Sequence, residues 1–111
     1  VNRYLALLDR RLKQRGELIY LQLTVDQSTV QCAIPAIVRA LTVEQLIGGI
    51  PFNQQNFFLI ISPTHINLQQ WPRIPRTSDR VVVRGTQKAV QRVAPVFDAG
   101  ECIRIELTVL G

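Results

Sequence analysis

The sequence has little of what catalytic and metal chemistry usually draws on. Its 111 residues contain one histidine, His65, and two cysteines, Cys32 and Cys102, with no Cys-x-x-Cys pair. That supply is too small for a zinc site. No nucleophile elbow, P-loop or dinucleotide fingerprint is present. Methionine is absent, so the initiating residue is expected to have been removed or to precede this numbering. No apolar run approaches the roughly 20 residues that span a bilayer. The N-terminus is basic and amphipathic, but no apolar core with a small-residue cleavage site follows it. Cytosolic synthesis with no membrane partner is the expectation. Aromatics are few, at four Phe, two Tyr and one Trp. None is interleaved with the arginines from Arg80 to Arg92, whereas platforms for single-stranded nucleic acid need such stacking partners.

What is there describes a single domain, residues 1–111. Hydrophobic residues make up 47%, which argues against disorder, and the length suffices for a real core. Net charge is +5 and the isoelectric point about 10.0. Lys13 and Lys88 are the lysines; the other cations are arginines, which suit bidentate contacts to phosphate or carboxylate. They gather in two places. Arg3 to Arg15 includes Arg10, Arg11 and Lys13, with Asp9 opposing. Arg73 to Arg92 includes Arg76, Arg80, Arg84 and Lys88, with Asp79 opposing.

Tyr4, Leu5, Leu8 and Leu12 recur at helical spacing, and Leu7 widens the stripe, which predicts a helix over residues 2–15 packed outside the sheet, with Leu5, Leu8 and Leu12 facing it and Gly16 as its terminator. Glu17 to Val25 alternates as a strand, with Ile19, Leu21, Leu23 and Val25 on one face. After a turn at Asp26-Gln27-Ser28, a second strand runs from Thr29 to about Pro35 with Val30, Cys32 and Ile34 inward, giving a hairpin. Residues 36–56 read as a long apolar loop with a short helical turn after the capping-box pattern Thr42-Val43-Glu44-Gln45. Asn56 to Ser62 is a strand apolar on both faces. Ser62 then caps a turn of helix with Pro63 at its first position. Trp71 to Arg76 is extended and proline-stiffened. Three short β-runs end the chain, and the whole predicts a mainly β fold: a small antiparallel β-barrel or sandwich with an N-terminal helix and a long loop.

Candidate residues divide between structural and functional readings. His65 has no carboxylate nearby in sequence to orient it and reads as structural. Asp79 reads as the cap of the turn before Arg80. Cys32 and Cys102 read as reduced apolar fillers. Trp71 is either a core plug or an interface anchor. No catalytic residue, cofactor or metal is expected.

The segment Ile60-Ile61-Ser62-Pro63-Thr64 leads to Trp71-Pro72, then Asp79-Arg80-Val81-Val82-Val83-Arg84-Gly85, then Val90-Gln91-Arg92-Val93-Ala94-Pro95, and a last apolar strand closes on Gly111. That order resembles the head–tail connector proteins of tailed bacteriophages, the stopper or head–tail attachment family. The resemblance implies a structural, non-enzymatic neck protein, made in the host cytoplasm and carried in the virion. It implies a homo-oligomeric ring, a hexamer, between the portal or adaptor protein and the tail terminator or tail tube protein. Packaged DNA would pass through the ring without sequence reading. Ile47, Ile50, Phe52, Trp71, Arg73 and Arg76 are then interface candidates, and Arg80 and Arg84 are candidates for the DNA channel or assembly. The remaining alternatives are a tail terminator ring protein and a basic β-barrel that binds nucleic acid.

Overall fold

The computed structural model describes residues 2–25, 28–40, 56–68 and 74–110. The elements are α1 (Arg3–Arg15), β1 (Glu17–Val25), β2 (Ser28–Ala40), β3 (Phe57–Ile61), α2 (Pro63–Leu68), β4 (Arg80–Val83), β5 (Thr86–Asp98) and β6 (Glu101–Leu110). The six strands form a closed antiparallel barrel in the order β1-β2-β3-β6-β5-β4, with β4 returning to β1. Of the two expected architectures, the barrel is the one adopted. Among the described residues no helix is long and apolar enough to cross a membrane.

The interior follows from period-two alternation. Ile19, Leu21 and Leu23 from β1 meet Ile34 and Ala36, Leu59 and Ile61, Val81 and Val83, and Ile105, Leu107 and Val109. Phe57 lies among them as the largest fully buried side chain. Val30, expected inward, is 42% exposed although its partner Leu23 is buried. The reason is that β3 joins β2 only from Ile37 onward, so no described strand flanks β2 on that side beside Val30. For the same reason β2 does not end at Pro35. Residues 36–40, expected in the loop, complete the strand and pair with β3. The rest of the expected loop, including the capping-box pattern, lies outside the described residues.

Two hairpins fix the register of the C-terminal strands. Arg84 and Gly85 have φ of 52° and 81°, and Ala99 and Gly100 have 51° and 81°. Positive φ at both central residues is what a type I′ turn requires, and its twist matches that of the flanking strands. In β5 the register slips between Val90 and Arg92. Lys88 and Val90 face inward before this bulge, whereas Val93 packs on the core after it. One extra residue has exchanged the faces of the strand.

Helix α1 lies outside the barrel. Asn2 caps it, its Oδ1 accepting from the backbone N–H of Tyr4 at 2.9 Å, while its Nδ2 donates to Asp98 Oδ2 at 2.9 Å. The cap thus ties the helix start to the β5–β6 hairpin. At the other end, Gly16 N–H donates to the Leu12 carbonyl at 2.8 Å. Gly16 is extended there, with φ −69°, and glycine is required for a different reason than a left-handed terminator: a Cβ would stand 2.3 Å from the Leu12 oxygen. Midway, Asp9 accepts from the hydroxyls of Ser62 and Thr64 (2.9 Å from Thr64), which join α1 to the start of α2. Ser62 Oγ also accepts from Thr64 N–H, so it caps α2 as expected.

Leu5, Leu8 and Leu12 were all expected to face the sheet. Leu12 is fully buried at 2%, whereas Leu5 and Leu8 are half-buried. Leu12→Ala should therefore cost about 2–5 kcal/mol in urea unfolding, and Leu7→Ala, on the open side of the helix, should stay within about 0.5 kcal/mol of wild type. Equal losses at both positions would contradict this docking of α1.

Candidate functional site

The candidate residues from the sequence separate in space. Ile47, Ile50, Phe52, Trp71 and Arg73 lie outside the described residues. Arg76 is exposed, and its backbone N–H donates to Asp79 Oδ2 at 2.8 Å. Asp79 N–H returns a bond to the Arg76 carbonyl. Asp79 is buried and structures the turn into β4, as expected. Arg80 points outward from β4, opposite Gln22 and Ala89. Beside it runs a chain of amides: Gln87 donates to Gln22, and Gln22 donates to Gln31. Arg76, Arg80 and Arg84 do not form one row, because Thr77 and Ser78 turn the chain before β4 and Arg84 sits in the hairpin after it.

Arg84 has a partner the sequence did not suggest. Its Nε and an Nη donate to the two carboxylate oxygens of Glu17, at 2.7 and 3.0 Å. This bidentate pair spans from the exit of β4 to the start of β1. The Arg84 guanidinium also stands 5.3 Å from the Phe57 ring centroid, and Lys88 Nζ stands 5.1 Å from the same ring. Lys88 occupies an inward position and is 4% exposed; a ring face is a favourable neighbour for a desolvated ammonium. Alternation places Lys88 on the inner face, but nothing local identifies Phe57 as its companion or Glu17 as the partner of Arg84.

The hydroxyl–carboxylate–imidazole set of Ser62, Asp9 and His65 lacks the geometry of an activated nucleophile. Ser62 is completely buried and its hydroxyl is bonded to Asp9, while His65 Nδ1 is buried and has no hydrogen-bond partner. Among the described residues no group of three or more His, Cys, Asp or Glu could hold a metal. Both cysteines are free, and burial pushes the Cys32 thiol up.

A groove of about 560 Å³ lies between α1 and β6. Tyr4, Leu7, Leu8 and Arg11 line one wall, and Ile103 and Arg104 the other. The four helix residues fall at i, i+3, i+4 and i+7 and so share a face. Leu7 is 56% and Tyr4 51% exposed. The helix is apolar over more of its circumference than the barrel covers. Leu7's widening of the apolar stripe was the one sequence signal of this groove; the β6 wall gave none.

No protein-family model matches the chain, and no match is found among curated proteins.

The Arg84 hydrogen bond holds the Glu17 carboxyl below its ordinary range, against a smaller opposing effect of burial, and the Arg84 charge lowers it further. A lowered carboxyl stabilises the fold above its unfolded-state value, and that contribution disappears as pH falls through the folded-state value. Glu17→Gln should therefore lower the urea midpoint at neutral pH, and the gap to wild type should close in acid. A gap independent of pH would exclude the ion pair as its cause.

Proposed function

We propose that this chain is a structural joining protein of the neck of a tailed bacteriophage. It acts as a ring between the portal or adaptor and the tail and helps to retain packaged DNA. The observation that carries this reading is the order of elements. An outer helix, a hairpin, a strand followed by Ser62-Pro63 and three closing strands fold into one small closed barrel, the arrangement the resemblance implies.

The surface is compatible with that work. In a closed barrel each strand has a neighbour on both sides over part of its length, so contact with other molecules falls mainly to side chains. Helix α1 offers one such surface, and the tip of the β5–β6 hairpin offers another, with Phe97 61% exposed. Among the described residues, the Arg76 and Arg80 side chains have no ion-pair partner, unlike Arg84 and Arg104. Repeated around a ring, they supply a sequence-blind contact to phosphate. Arg84, engaged with Glu17, serves the fold first.

A nonsense mutation in the phage that encodes the protein should give DNA-filled heads and finished tails that do not join. Purified protein added to the mutant lysate should restore infectious particles. Arg76→Glu with Arg80→Glu should leave a folded protein that restores joining poorly or lets DNA leak from filled heads. Infectious particles formed without the protein would defeat the proposal. Tight, salt-dependent binding of DNA by the isolated monomer, with normal particle assembly in the mutant, would favour the nucleic-acid-binding alternative.

A further inference from the structure

We propose that the groove between α1 and β6 receives an acidic segment with an apolar centre, supplied by a different polypeptide. The floor of the groove is apolar: Leu7, Leu8 and the ring of Tyr4 face Ile103. Its rim is cationic. Arg11 and Arg104 line it, and the Arg3 guanidinium stands 5.6 Å from the Tyr4 ring centroid. Arg104 has not used its bonding capacity within the chain. One Nη meets Glu106 at 3.1 Å, but Nε is buried without an acceptor, a costly state for a donor. Asp9, the carboxylate on α1, is turned to Ser62 and Thr64 and does not neutralise this rim. The groove therefore complements leucine-like side chains flanked by carboxylates, which guanidinium groups hold bidentately.

Among the described residues, a second copy of the chain offers no such segment. Its eight acidic residues are dispersed, and only Asp98, Glu101 and Glu106 fall close together. Asp98 is bonded to Asn2 and Glu106 to Arg104. Asp9, Glu17 and Asp79 are likewise held within the chain. A nucleic acid would meet the arginines but leave Leu7 and Leu8 uncovered. An acidic heterologous protein satisfies both halves of the groove. The inference goes beyond the neck assignment, because the groove has the same chemistry in any setting, and either can fail alone.

The test is fluorescence anisotropy on the isolated full chain. The probe is a labelled, helix-forming synthetic peptide with leucines at i, i+3, i+4 and i+7 and glutamates at the exposed positions. Wild type should bind it saturably. Leu7→Ser and Arg11→Glu, both at exposed positions and checked for an unchanged melting temperature, should each weaken binding on the order of tenfold or more. Lys13→Glu makes the same charge change away from the groove and should weaken it by less than about threefold. The peptide with lysines for glutamates should not bind. Absence of saturable binding to wild type would overturn the proposal. So would equal losses in Lys13→Glu and Arg11→Glu, or a DNA duplex that binds and shows the same sensitivity to Leu7→Ser.

Discussion

Pairing of β4 with β1 places Tyr20 opposite Val82, Leu21 opposite Val81 and Gln22 opposite Arg80, and this short ladder closes the barrel. A four-residue strand makes a weak seam by itself, and it is fastened at both ends. At its entry, Asp79 bonds the Arg76 backbone N–H, and the Asp79 carbonyl accepts from Val90 N–H in β5 at 3.1 Å. At its exit, Arg84 reaches Glu17 at the start of β1. The seam thus joins residues more than half the chain apart, and the interior is sealed only when it forms. Loss of β4 would leave β1 and β5 with unpaired backbone, the condition that promotes pairing with another chain.

Closure also decides what the surface can do. Every strand has a neighbour on each side over part of its length, so contact with another molecule rests mainly on the outer helix, the hairpin tip and outward side chains. Electrostatics sharpens this. Nearly every described carboxylate is bonded within the chain, often to a neutral donor: Asp9 to two hydroxyls, Asp79 to a backbone N–H, Asp98 to an amide. Asp9 and Asp98 thus form no direct ion pair with a described arginine. The surface that a partner meets is more cationic in its bonding capacity than a net charge of +5 suggests.

Strict alternation made β1 legible to its ends, and the I′ hairpins were marked by Gly85 and Gly100. Two strands run past the point where their local pattern ends, and for one reason. Pro35 and Pro95 each read locally as the end of a strand, and each lies within one. Proline is excluded from a strand only where its missing N–H is needed by a neighbour. At Pro35, β2 has β1 on one side and β3 has not yet joined. At Pro95, β5 has β6 on one side and β4 has already ended. Both prolines sit where the strand is one-sided, a property of the sheet and not of the local sequence. The bulge at Gln91 is similar. It changes which face Val93 presents, and nothing in Val90-Gln91-Arg92-Val93 announces the slip.

The candidate surface was legible to the same limit. An apolar stripe wider than one packing face and a cluster of cations are readable in α1 from its residues alone, because both are properties of a single helix. Which part of the stripe would stay open depends on how the helix sits. Asn2 holds one end to Asp98, Asp9 holds the middle to Ser62 and Thr64, and Leu12 is the side chain driven fully into contact. Those three anchors leave Tyr4, Leu7 and Arg11 out of close packing, lining a groove with Ile103 and Arg104 of β6. The carboxylates that fix the helix are thereby the same ones withdrawn from its surface. Docking of α1 and the unneutralised charge along its open face are one structural event, which is why the groove is both apolar and cationic.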